Sequence, residues 1–218
     1  MNAESRAPVL NFPHHWQAEI LSARPLILPP RHFVYPRDAE EVERGALEVL
    51  VRPGIANESE SKSGAPGLDL EIWENKTVHH TTEPTQPFLA TCALGFRDPA
   101  VPSGLWSTPN PDELCAVSGG YAYLIDTTAP ERFTMLPYRP VLEVRSLPAE
   151  GLLLFVGHHA ILAWNQQGEA WQSEKLSDEG VTVVRVEHGV LHGLGWNMMT
   201  DKETPFRLDL RLGIRLAD

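Results

Sequence analysis

The stretch L-L-L-F-V-G-H-H-A-I-L-A-W-N-Q-Q-G-E-A-W-Q-S, residues 152–173, decides the fold class. Two apolar runs, 152–156 and 161–164, are too short for a helix and are bounded by turn residues, so they read as buried strands. Between them, His158-His159 marks a tight turn. A polar turn, N-Q-Q-G-E, then leads into another strand-like run, A-W-Q-S-E-K-L. The unit is strand, turn, strand, turn, strand.

The same beat sounds on either side. Upstream, L-C-A-V-S turns at Gly119-Gly120 into Y-A-Y-L-I-D. Gly-Gly suits a two-residue hairpin because a type I′ turn needs positive φ at both central positions. Downstream, V-T-V-V-R-V-E turns at His188-Gly189 into V-L-H-G-L-G-W. Each pair is followed by a polar turn and a third run, R-F-T-M-L in the first case and F-R-L-D-L-R-L-G in the last. The turn centres lie 39 and then 30 residues apart. Strand units recurring at this size predict an all-β fold of propeller-like blades, with a twisted β-sandwich or meander as the alternative.

Over about residues 112–216 the pattern resembles the blade repeat of quinoprotein-dehydrogenase-like and WD-like β-propellers. There, a hairpin is followed by a glycine-containing turn and a tryptophan that packs between blades. Gly168 and Trp171 match it, and Gly213 stands as the counterpart in the next unit; the first unit has Thr127-Thr128-Ala129-Pro130 and no tryptophan. The resemblance implies a small or incomplete propeller, with Trp171 buried between the pairs 152–164 and 181–196. No cofactor-binding or catalytic residue of the family carries over, because no position here matches one.

Outward from the repeats, the chain reads as one domain over 1–218, with an N-terminal arm at 1–44 packing on a β body at 45–218. Six prolines between residues 8 and 36 make the arm irregular, with one short helix expected near Trp16–Ser22. D-A-E-E-V-E-R-G (38–45) predicts a helical turn or two. A-L-E-V-L-V and L-D-L-E-I-W (68–73) predict a hairpin closed by a flexible loop at 52–67, where little is available to bury. After a strand over Phe88–Phe96, four prolines between Asp98 and Pro111 predict a stiff loop.

Composition excludes several function classes. The chain has 218 residues, 18 Lys plus Arg against 29 Asp plus Glu, and a net charge of −11. A duplex binder draws its affinity from cations that displace counterions, so no nucleic-acid partner is expected, and no anionic membrane surface. An acidic chain of this kind would suit a basic protein partner. No run approaches the ~20 apolar residues of a membrane span. No export signal opens the chain, and Cys92 and Cys115 sit in apolar strand-like runs, so a reducing, cytoplasmic setting is expected.

Chemistry-bearing motifs are sparse. Nine histidines include the pairs His14-His15, His79-His80 and His158-His159. Neighbours on a strand face opposite ways, so one pair rarely offers both rings to one metal, and no metal or cofactor is expected. His188 and His192 have zinc-pair spacing only if helical, and the segment reads as hairpin. Ser118-Gly119-Gly120 reads as a turn, not a nucleophile elbow. The candidate binding rim is the proline-stiffened loop carrying Phe96, Leu105 and Trp106, with His158 and His159 at a neighbouring turn. The expected function is a non-catalytic β-repeat module that engages a protein or small ligand through loops at one face. The alternative is a histidine and carboxylate-based hydrolase or lyase, possibly metal-assisted.

Overall fold

The structure is a computed structural model and describes residues 7–36, 45–54 and 86–217. Its strands form four sheets. The first contains β1 (Trp16–Leu21), β2 (His32–Tyr35), β3 (Ala46–Pro53) and β4 (Phe88–Ala93) in the order β1-β3-β4-β2. Its β2 runs parallel to β4, and the other pairings are antiparallel. The remaining sheets are antiparallel meanders in chain order. The second holds β5 (Gly104–Ser107), β6 (Glu113–Ser118), β7 (Tyr121–Asp126) and β8 (Phe133–Met135). The third holds β9 (Glu143–Leu147), β10 (Leu152–Val156), β11 (Ile161–Asn165) and β12 (Gly168–Gln172). The fourth holds β13 (Val181–Glu187), β14 (Val190–Asn197) and β15 (Lys202–Asp209). Beside β15 the chain folds back: Leu208 bridges Arg215, and Leu216 N–H donates to Arg207 O. The fold is all-β, and none of its sheets closes into a barrel.

The sheets stack in the order first, second, third, fourth. Successive side chains on a strand face opposite ways, so a sheet between two others must be apolar on both faces. Leu105, Leu114, Ala116, Tyr123 and Ile125 of the second sheet meet Trp16, Val49, Val51 and Phe88 of the first. From its other face, Trp106, Cys115, Val117 and Leu124 meet Leu153, Phe155, Leu162 and Trp164 of the third. The third sheet then turns Leu152, Leu154, Val156, Ile161 and Ala163 toward Val183, Leu191, Phe206 and Leu208 of the fourth. This is why β10 and most of β11 are apolar at consecutive positions instead of alternating. Glu113 adds a polar stitch: Trp164 Nε1 donates to its carboxylate at 2.8 Å across the second and third sheets, while Trp16 Nε1 donates to its carbonyl. Burial pushes the Glu113 carboxyl above the ordinary range, opposed by the Trp164 bond.

The expected hairpins turn at Gly119-Gly120, around His158-His159 and at His188-Gly189. Two expectations need correction. The helix expected near Trp16–Ser22 is β1, whose W-Q-A-E-I-L pattern places Trp16, Ala18 and Ile20 toward the core. The arm thus gives two strands to the first sheet. The 98–111 loop contains β5, because Leu105 and Trp106 fill the core on opposite faces. A-L-E-V-L-V is β3, and its two edges pair with β1 and β4. The helical turn at 38–44, the loop from 55 to 67, the 68–73 run and His79-His80 lie outside the described residues.

Gly119 and Gly189 both have left-handed backbone, with φ of 55° and 74°. A Cβ on Gly119 would sit 2.4 Å from the Phe96 carbonyl oxygen, whereas one on Gly189 would meet nothing within 4 Å. Gly189→Ala should therefore cost only the left-handed penalty, about 1–2 kcal/mol. Gly119→Ala should cost clearly more, because backbone must move as well. Urea denaturation of both variants checks the order; equal losses would contradict it.

Candidate functional site

The site with the most recognition chemistry lies between the third and fourth sheets, and it is built around Trp171. A register shift at Ala163/Trp164 sets Trp171 opposite the small, buried Ala163, and its ring packs against the core between these sheets. The indole Nε1–H donates to the Leu210 carbonyl at 2.8 Å. Its ring lies against Gly213, where an added Cβ would fall 2.5 Å from the indole. Gly213 also has a φ of 69°, so both space and backbone require glycine there. Asp209 holds this loop: its carboxylate accepts the Arg211 and Leu212 N–H groups at 2.8 and 3.0 Å, and its carbonyl accepts Gly213 N–H. Trp171 packs on the core shared by the 152–164 and 181–196 pairs and is also bound to the loop after β15, but it is half-buried where burial was expected. Its link between neighbouring units stands on the Leu210 and Gly213 contacts.

Around the indole opens a groove of about 490 Å³, lined among others by Glu150, Asn165, Trp171, His188, Asp209 and Arg211. Each comes from the end of an element. Glu150 closes a 3₁₀ turn before β10, Asn165 ends β11, and His188 sits in the β13–β14 turn with a φ of 51°. The groove offers a flat apolar surface, carboxylates, a guanidinium and an imidazole. Its volume falls in the range that holds small molecules.

The residues expected to form a rim do not come together. Leu105 and Trp106 are 1% and 9% exposed and belong to opposite faces of the second sheet; they are core, not rim. Phe96 is exposed at 44%, with its ring edge-on to Tyr121 at 5.9 Å. His158 is half-buried and His159 exposed. His159 grips the linker to the fourth sheet: its carbonyl accepts Leu176 N–H at 2.7 Å, and its Nδ1 meets Ser177 O at 3.2 Å. Buried Ser118 ends β6 as a hairpin residue. His14 is buried beside Trp16, and His15 pairs with Asp112 at 2.9 Å. No group of three or more potential metal ligands occurs among the described residues.

One constellation lay beyond sequence reasoning. On the first sheet, Thr91 Oγ1–H donates to Glu48 Oε2 at 2.6 Å, and His32 Nε2 lies 2.9 Å from the same hydroxyl. With the Thr91 proton committed to the carboxylate, Nε2–H is the donor to Thr91, which leaves Nδ1 with its lone pair. Burial and the Arg24 charge push the His32 pKa below its ordinary value, with Glu48 opposing. His32 also lines a cavity of about 340 Å³ with Phe33, Tyr35, Pro130 and Glu131. The three members sit on β2, β4 and β3, and no local spacing links them. Cys92 and Cys115 are buried free thiols, both pushed far up in pKa by burial.

No protein-family model matches this chain, and no curated protein is found to be similar to it. No described helix is long and apolar enough to cross a membrane.

Because Trp171 is half-buried and bonded across units, Trp171→Ala should destabilise the fold by about 1–3 kcal/mol, below a full core truncation. Chemical denaturation measures it, and an unchanged midpoint would mean that the indole holds nothing together.

Proposed function

We propose that this chain is a non-catalytic binding module, built of propeller-like sheet repeats, that seats a small ligand in the groove at Trp171. One observation carries the reading. The indole is pinned at its N–H by Leu210 and beneath its ring by Gly213, so an aromatic platform is held ready before any ligand arrives. Preorganisation of this kind lowers the ordering cost of binding. The polar groups around it, from four separate element ends, suit a ligand with one flat apolar face and hydroxyl or amide groups at its edge. The net charge of −11 argues against nucleic acid as the partner. Two buried free thiols support a reducing, cytoplasmic setting.

A second reading, histidine-based hydrolysis, is favoured by the His32–Thr91–Glu48 chain. A neutral imidazole with one nitrogen anchored to a carboxylate through a hydroxyl has the makings of a general base.

One experiment separates the two. Intrinsic fluorescence is titrated with a panel of mono- and disaccharides and aromatic amino-acid amides, and hydrolysis of p-nitrophenyl acetate is followed in parallel. The binding reading predicts a saturable change with a panel member, lost in Trp171→Leu, and no ester turnover above background. Turnover abolished by His32→Ala, with no saturable ligand, would overturn it in favour of the second reading.

A further inference from the structure

The fourth sheet carries a second surface, on the face turned away from the third. Its register places Arg185 opposite His192 and His192 opposite Arg207, so the three form one row straight across β13, β14 and β15. The flanking row Val186, Leu191 and Leu208 faces the core, and alternation sends the Arg-His-Arg row outward. Cross-strand neighbours on one face stand about 4.5–5.5 Å apart at Cβ, so the three side chains can meet one ligand together. The row sets a guanidinium on either side of an imidazole, a local concentration of N–H donors in a chain of net charge −11.

Among the described residues this row is compensated only in part. Glu187 reaches Arg185 Nε at 3.1 Å, with both side chains about half exposed. Arg207 donates to the backbone carbonyl of Ala217, which carries no charge. The His192 ring has no hydrogen-bond partner among the described residues. On one side of the row lies an acidic one, where Glu187 and Asp209 flank Val190. On the other lie Leu194 and Pro205, joined by Val184, which the register shift between Val183 and Arg185 leaves 51% exposed. Val184, Leu194 and Pro205 line a groove of about 400 Å³ with Arg185, His192 and Arg207.

We propose that this face binds a small organic carboxylate with an apolar body. The carboxylate would sit along Arg185, His192 and Arg207, whose N–H groups form charge-assisted bonds to it. The apolar body would lie over Val184, Leu194 and Pro205, because the acidic row bars the opposite direction. Glu187 and Asp209 also set the ligand's charge: with two carboxylates beside the row, a monoanion complements the face better than a dianion. The groove's size fits a small molecule, not a protein interface.

The test is calorimetric titration of the full chain with octanoate at low ionic strength, beside octanol and octyl phosphate. Expected is saturable one-to-one binding of octanoate, with octanol and octyl phosphate each bound more weakly. Arg185→Gln and His192→Gln, both on the solvent side of the sheet, should each weaken octanoate about tenfold, as loss of a bond to a charged group does. Their melting temperatures should hold, since substitutions on the solvent side of a sheet change stability little. Trp171→Leu should leave octanoate binding intact, which separates this site from the groove at Trp171. Absence of octanoate binding, equal binding of octanol, tighter binding of octyl phosphate, or unchanged affinity in both variants would overturn the proposal.

Discussion

The inner strands of the two central sheets, β6, β7, β10 and β11, are removed from water on both faces, and the rest of the molecule depends on that. The second and third sheets each serve two hydrophobic interfaces at once, so Leu153 and Leu154, adjacent on β10, belong to different cores. At about 25 cal/mol per Å² of apolar surface, such layers supply most of the stability that an all-β chain of this size needs. The outer sheets are freer. The first anchors the proline-rich arm through Trp16 and Tyr35, and the fourth presents one face without a neighbouring sheet among the described residues.

The stacking also explains where recognition chemistry gathers. Strand interiors in a doubly covered sheet have no room for ligand, so polar groups collect at element ends and on the outermost face. The groove at Trp171 is of the first kind, bounded by ends of β11, β13 and β15. The Arg185–His192–Arg207 row is of the second. The His32–Thr91–Glu48 chain belongs to the opposite terminal sheet.

Local chemistry was legible in the sequence, and long-range register was not. Gly119-Gly120 and His188-Gly189 announce their hairpins because positive φ is written into the residue types. The alternation in W-Q-A-E-I-L was equally readable, but the surrounding prolines masked it, and the same masking hid β5 between Pro102 and Pro109. The parallel pairing of β2 with β4 has no local signal, since it joins segments more than fifty residues apart. Trp171 and Gly213 were each visible as repeat markers, yet their contact across 42 positions was not. The cationic row was hidden for a further reason: the register shift on β13 breaks the simple alternation by which its partners would be aligned.

The stack is tested most directly by a matched pair on one strand. Leu153→Ala and Leu154→Ala remove the same atoms from neighbouring positions, both fully buried, on opposite faces of β10. If the third sheet is covered on both sides, each variant loses about 2–5 kcal/mol in equilibrium urea denaturation. If one face were open to solvent, the variant on that face would stay within about 0.5 kcal/mol of the parent, and the four-layer account would fail.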